Sequence, residues 1–326
     1  MELTNVKHLV VGIDISIDLT TYAVVDLRGN IIAQDTFKTS DYPNIEDYLT
    51  ALCERIVVLV EANGGYENVR SVGVCCPSSN YLTGCIENAA NLQWKGVIPL
   101  SALMRDRLGL AVALANNSQC TALGEQAFGA AHGLKDFIVV TLGHGMGSCI
   151  FSNGKIHMGA RGFAGEVGHT CVVPDGRQCG CGHRGCLETY CAANGVVTTA
   201  RELMKESSEP SLMREVDELT PSVISALCEK GDALAIETFR RTGDMLGRGL
   251  ANYASILNPE AIILTGGIPL AGKWLMEPVE RSFEEHVFGN IKGQTRLVVS
   301  NMKNGERDVL GASVLAWQVK EYSLFL

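Results

Sequence analysis

Residues 8–36 read HLVVGIDISIDLTTYAVVDLRGNIIAQDT, and the fold is decided by this stretch. His8–Ile15 is an apolar, β-branched run, a polar interruption follows, and Thr20–Asp26 resumes the extended pattern. Arg28-Gly29-Asn30 is a turn, and Ile31–Thr36 makes a third extended segment. The same arrangement returns in residues 137–158, FIVVTLGHGMGSCIFSNGKIHM. Phe137–Leu142 is apolar, Gly143–Gly147 interrupts, Ser148–Phe151 resumes, and Asn153-Gly154 is a strong hairpin signal before Lys155–Met158. Two copies roughly 125–130 residues apart predict a duplicated α/β fold rather than a short-period solenoid.

Between the copies, Ile45–Ala62 has helical spacing, Val72–Cys76 and Ala111–Ala115 read as strands, and Ser101–Leu108 and Ser118–Ala131 as helices. Beyond them, Ala193–Lys205, Ser222–Lys230, Ala233–Leu257 and Val309–Lys320 are helical, and Ala261–Leu264 is a buried strand ending in Thr265-Gly266-Gly267. Strands alternating with helices imply mixed or parallel sheets covered by helices. The polar stretch Glu206–Glu218 reads as a solvated connection.

At about 100–200 residues per domain, 326 residues suggest two domains. The balance of 27 basic against 36 acidic residues gives −9 and a pI near 5.3, which argues against nucleic acid or an anionic membrane as main partner. Asp14 interrupts Leu9–Ile15 before a signal-like apolar core can form, and no apolar run approaches the roughly 18 residues of a membrane span. A cytoplasmic protein is expected, in which the 12 cysteines are thiols or metal ligands rather than disulfides.

Cys179, Cys181 and Cys186 lie within eight positions, laced with glycines, and His169 precedes them. Three thiolates and one imidazole make a closed tetrahedral set for zinc, with no position open for a catalytic water. His183 is the rival fourth ligand; His169 is preferred because a ligand from a separate segment ties two loops together. The other nine cysteines are mostly in apolar contexts and are expected in the core.

The segment Gly162-Phe163-Ala164-Gly165-Glu166-Val167-Gly168-His169, the Cys179/Cys181/Cys186 cluster and Leu187-Glu188-Thr189 together resemble the signature of the ROK family. That family holds bacterial glucokinases, related hexose and acylaminosugar kinases, and transcriptional repressors. The resemblance extends from Gly12-Ile13-Asp14 through Asn91-Leu92 and Leu123-Gly124-Glu125 to residues 258–264. It implies an actin-like (ribonuclease H-like) α/β fold with two lobes around a cleft. Residues 1–117, completed by a C-terminal helix over 308–326, would form the small lobe; residues 118–307 would form the large lobe carrying the zinc motif. It further implies that Asn91, Asn116, Glu166, His169 and Glu188 contact the hydroxyls of a hexose. Asp14 would help hold Mg²⁺, and Gly143, His144, Gly145, Gly147, Gly266 and Gly267 would surround the phosphates of ATP. Members are often dimers or tetramers, so a homo-oligomer is expected.

The phosphate side departs from the family pattern. Ser16, Ile17 and Asp18 replace two glycines and a threonine, removing backbone freedom and adding a negative charge. Such a charge 4 Å from a phosphate costs on the order of 1–4 kcal/mol, depending on the effective dielectric. The three glycines of Gly143–Gly147 keep the nest-like spacing that suits phosphate, but His144 replaces a threonine there, as either a phosphate ligand or an obstruction, and Ser78 and Gln119 stand where glycine and asparagine are more usual. Asn117 stands where the family has the aspartate that takes the proton from the attacking sugar hydroxyl. An amide accepts no proton, and general-base catalysis contributes about 10²–10⁴-fold. The spread of departures favours natural divergence over an engineered replacement at Asn117. The expectation is a glucose-like hexose binder with weak or lost ATP-dependent phosphorylation; the alternative is a fully active glucokinase-like enzyme with adapted phosphate loops. A DNA-binding repressor is disfavoured because the first lobe begins within about ten residues, leaving no helix-turn-helix. An acetate kinase on the same fold leaves Glu166, His169 and Glu188 unexplained.

Overall fold

The first extended run folds as three antiparallel strands, β1 (Leu9–Ile15), β2 (Leu19–Asp26) and β3 (Ile31–Lys38), in a computed structural model that describes residues 7–89, 92–303 and 305–319. Asp26 fixes the second turn by accepting the backbone N–H groups of Arg28 and Asn30, each at 2.8 Å, around Gly29 at φ 82°. Helix α1 (Ile45–Ala62) is capped by the Asn44 side chain and leads back to β4 (Val69–Cys75), which pairs parallel with β1. A small sheet of β5 (Ser79–Asn80), β6 (Cys85–Glu87) and β7 (Val97–Ile98) precedes helix α2 (Leu100–Leu108). Strand β8 (Ala111–Ala115) completes a sheet of order β3-β2-β1-β4-β8, followed by helix α3 (Asn117–Phe128).

The second run repeats that plan. Strands β9 (Phe137–Leu142), β10 (Met146–Ser152) and β11 (Lys155–Ile156) are antiparallel. Asn153 and Gly154 sit at φ 53° and 76°, the two positive values that a two-residue hairpin of this twist requires. Helices α4 (Glu188–Cys191), α5 (Ala193–Glu206), α6 (Pro221–Glu229) and α7 (Ala233–Leu257) intervene before β12 (Ala261–Gly266), α8 (Lys273–His286) and β13 (Arg296–Val299). The second sheet has order β11-β10-β9-β12-β13, with β12 parallel to both β9 and β13. Each sheet is thus an antiparallel triplet extended by two parallel strands, so the duplication read from residues 8–36 and 137–158 holds in both order and direction. This is the actin-like ATPase plan.

The chain divides into a unit of residues 1–132, 158–163 and 301–326 and a unit of residues 133–157 and 164–300. The expected boundary at 117/118 is therefore displaced. Helix α3 stays with the first unit because it packs on the closing helix α9 (Arg307–Gln318), where Gly311 lets the two backbones meet. A Cβ on Gly311 would lie 1.9 Å from the Cys120 carbonyl oxygen, and one on Gly73 of β4 would lie 1.9 Å from that of Ala312. Residues 320–326 of the expected terminal helix lie outside the described residues, as does the sugar-contact candidate Asn91.

The first core gathers Ile13, Tyr48, Ile56 and Val74, and the second gathers Val140, Phe239, Leu250 and Ile262. Seven of the nine other cysteines are buried, with Cys85 half-buried and Cys171 exposed. Among the described residues, no helix is long and apolar enough to cross a membrane.

Candidate functional site

In the second unit, glycine shapes the approach to the cysteine cluster. A Cβ on Gly168 would lie 2.6 Å from the Met146 carbonyl oxygen, so this segment packs directly on β10. Tyr253 of α7 anchors it by donating to the Val167 carbonyl at 2.8 Å. The cysteine loop closes on itself: the Cys179 N–H donates to the His183 carbonyl at 2.9 Å, and Gly185 turns at φ 75°. One ligand atom from each of His169, Cys179, Cys181 and Cys186 lies within 4.8 Å of all the others.

The spacing tests what such a cluster could hold. Cys179 Sγ is 3.6 Å from His169 Nδ1, and Cys181 Sγ is 3.7 Å from Cys186 Sγ. Zinc bonds of about 2.3 Å to sulfur and 2.05 Å to nitrogen require tetrahedral edges of about 3.5 Å (S–N) and 3.8 Å (S–S). The cluster fits. His169, rather than His183, is the fourth member; His183 contributes backbone groups to the loop. Burial and the neighbouring sulfurs push the Cys186 thiol up to about 12, whereas hydrogen bonding from the His183 backbone lowers the exposed Cys181.

Glu188, the first residue of α4, links this cluster to the β9–β10 turn. One carboxylate oxygen accepts the Met146 N–H at 2.9 Å, and the other receives the Cys179 thiol at 3.8 Å. A Cβ on Gly145 would lie 2.9 Å from Glu188 Oε2, so glycine there makes room for the carboxylate. Glu166 is exposed, and its carboxylate makes no hydrogen bond among the described residues.

The turn itself differs from expectation. None of Gly143, Gly145 and Gly147 has a positive φ, so they do not form the nest read from their spacing. What they provide is open backbone: a Cβ on Gly143 would meet nothing within 4 Å. Gly267 is equally open, and Gly266 at φ 100° pairs in register with Leu142. The glycines of both expected phosphate loops therefore meet at the ends of the parallel strands β9 and β12, with the exposed His144 beside them. These residues fit a polyphosphate, whose approach needs backbone free of side chains.

In the first unit, Asp14 pairs across the sheet with Cys75. Its Oδ1 is buried without a partner among the described residues, and its carboxyl is pushed up to about 7 by burial first and by the Asp308 charge second, while a Cys75 hydrogen bond opposes the shift. An orphaned carboxylate oxygen beside a second carboxylate suits a cation. Asp308, in the first turn of α9, accepts the Thr121 hydroxyl at 2.8 Å. Sequence reading missed Asp308, since nothing local marks it as Asp14's neighbour.

The replaced loop residues are not strained. Ser16 forms a tight turn with Leu19, accepting its N–H at 3.1 Å and donating to its carbonyl at 2.7 Å, and Ser16–Asp18 have no positive φ. The glycine freedom expected to be lost there is not used by this backbone. Ser78 is the opposite case: it sits at φ 56°, the conformation that favours the glycine usual at that position. Asn116 caps α3 by accepting the Gln119 N–H at 2.9 Å, and Gln119 returns the bond to the Asn116 N–H at 3.3 Å. Asn117 is the next residue, and its side chain makes no hydrogen bond among the described residues.

The ROK family model matches residues 10–319. A glucokinase of Streptomyces coelicolor is 30% identical over 316 residues, covering 94% of this chain and 97% of its own length. A xylose repressor of Caldicellulosiruptor bescii is 27% identical over 299 residues, covering 90% of this chain and 75% of its own. Among solved structures, a ROK family glucokinase from Streptomyces griseus in complex with glucose and AMPPNP matches with a TM-score of 0.77 at 31% identity, covering 95% of this chain and 100% of that one.

Proposed function

The chain belongs to the ROK family, and on that premise we propose that it binds a glucose-like hexose with attenuated ATP-dependent phosphorylation of the sugar. Glu166, His169 and Glu188 in the second unit and Asn116 in the first, with Asn91, are the hydroxyl partners in this reading. Carboxylates and amides accept and donate in the plane that adjacent hydroxyls need. His169 turns Nδ1 toward Cys179, which leaves Nε2 for a hydroxyl. Zinc in the cluster would act as a brace, fixing the Glu188 segment rather than reacting. ATP with Mg²⁺ would supply the phosphoryl group, held by Asp14, His144 and Gly143, Gly145, Gly147, Gly266 and Gly267.

Asn117 carries the attenuation. Its amide orients a hydroxyl but leaves the proton with no acceptor at that position, and positioning alone sustains residual transfer. The test is glucose-dependent ADP formation by the unmodified protein beside Asn117→Asp. Sugar binding with little turnover, raised about 10²-fold or more by the variant, supports the reading. Robust turnover in the unmodified chain overturns it. Full activity is the second reading, and one observation favours it: residues 16–18 form an unstrained turn despite losing the family's glycines.

A further inference from the structure

The segment after His169 meets the end of the cysteine loop through one antiparallel pair, Cys171 opposite Cys186. The Leu187 N–H donates to the Thr170 carbonyl at 3.0 Å, and the Val172 N–H donates to the Gly185 carbonyl at 2.8 Å. These bonds flank the two cysteines on either side, so the pair itself exchanges none. In such a pair the Cα atoms approach to about 4.5 Å with both side chains on one face. Disulfides join Cα atoms roughly 4.4–6.8 Å apart, so the backbone already holds Cys171 and Cys186 at bridging distance. The Cys171 sulfur lies at this crossing, since a Cβ on Gly185 would sit 3.3 Å from it. The two thiols differ in access. Cys171 is exposed and stands outside the ligand set, whereas Cys186 is fully buried with its Sγ 3.7 Å from Cys181 Sγ.

We propose that Cys171 is an oxidation site through which a peroxide dismantles the four-ligand cluster by drawing Cys186 into a disulfide. The Cys171 sulfur attacks hydrogen peroxide: an S–O bond forms, the O–O bond breaks, and the second oxygen leaves as water with the thiol's proton. The Cys186 sulfur then attacks the resulting sulfenic acid. Its S–S bond forms as the S–O bond breaks, and the departing hydroxide takes up a proton to become water. The two cysteines together lose two electrons, and the peroxide gains them. A sulfur tied into a disulfide offers no thiolate to a metal, so His169, Cys179 and Cys181 alone remain. Glu188 lies two residues beyond Cys186 and holds the Met146 N–H, so the bridge also loosens the carboxylate assigned to the hexose. A dithiol reductant reverses the bridge. Metal release rests on the zinc reading; the Cys171–Cys186 bridge does not.

The test treats the full chain, purified without chelator, with hydrogen peroxide. Released zinc is followed with a metallochromic dye, and the bridge is located by peptide mass mapping. Zinc release is expected together with a bridge joining Cys171 to Cys186, and dithiothreitol should restore both thiols. Cys171→Ser should carry as much zinc as the unmodified protein before oxidation and release it at least about tenfold more slowly. Cys85→Ser removes the other partly exposed cysteine outside the cluster and should release zinc at the unmodified rate. Release from Cys171→Ser at the unmodified rate, or a principal bridge from Cys186 to Cys179 or Cys181, overturns the proposal. A chain that carries no zinc overturns the zinc reading alone. In that chain a Cys171–Cys186 bridge still supports the oxidation site, and its absence overturns it.

Discussion

The Glu188 carboxylate accepts the Met146 backbone N–H at 2.9 Å, so the residue that ends the cysteine loop also holds the first residue of β10. Its other oxygen faces the Cys179 thiol. One side chain thus spans the cluster and the glycine turn. Anything that moves the cysteine loop is transmitted to the turn through a carboxylate, which accepts more strongly than a neutral group.

Removing that link should be costly. Glu188→Ala leaves the Met146 N–H without its partner, a loss of about 1–3 kcal/mol. Glu188→Gln keeps an acceptor of the same reach and should recover most of the stability, though not the charge. Urea midpoints of the proteins, purified without chelator, decide this. Equal midpoints for the two variants would show that Met146 finds another acceptor.

A second expectation concerns pH. Asp14 has a folded value of about 7 against an ordinary 3.8, so the fold binds a proton that the unfolded chain releases. Its stabilising contribution is complete below about pH 4 and is lost as pH rises through 7. Asp14→Asn abolishes this dependence. Relative to the unmodified protein, the variant should gain on the order of 2 kcal/mol between pH 5 and pH 8, measured by denaturation without divalent ions. Parallel pH profiles would rule out a raised Asp14.

The strand triplets were legible because their turns carry local chemistry. Asp26 and Gly29 close one, and Asn153-Gly154 closes the other. The cysteine cluster was legible for the same reason, since glycines at residues 180, 182 and 185 leave the loop free to wrap. The unit boundary was not legible. Which unit α3 joins depends on Gly311 meeting Cys120, a contact that no window of sequence contains. The Asp14–Asp308 pair was hidden by the same sequence distance, and Gly143–Gly147 misled because spacing does not report φ.

Ser78 offers a small but signed test. A non-glycine residue in the left-handed region costs about 1–2 kcal/mol, while glycine gives back somewhat less through the freedom of the unfolded chain. Ser78→Gly should therefore raise stability by a few tenths to about 1 kcal/mol. Ser78→Ala should not raise it. A loss on Ser78→Gly would mean that the serine side chain contributes contacts outweighing its backbone strain.

The proposed zinc role of the cysteine loop can be tested through three glycines of differing constraint. Gly185 combines φ 75° with a Cβ position 1.7 Å from the Val173 carbonyl oxygen, and the N–H groups of Val172 and Val173 grip its own carbonyl at 2.8 and 3.3 Å. Neither side can retreat, so Gly185→Ala must displace Cys186 from the cluster. Gly182 shares a positive φ of 93° but faces open space, so Gly182→Ala costs only about 1–2 kcal/mol of backbone strain. Gly180 has neither constraint, and Gly180→Ala should be neutral. Zinc per chain, measured after purification without chelator, should be near one for the unmodified protein and Gly180→Ala, slightly lower for Gly182→Ala, and below roughly half for Gly185→Ala. A chelator should lower the melting temperature of the first three and barely move the last, because metal that binds only the folded state stabilises by mass action. Wild-type zinc content in Gly185→Ala would mean that Cys186 is not held by this turn, and the four-ligand assignment would fall with it.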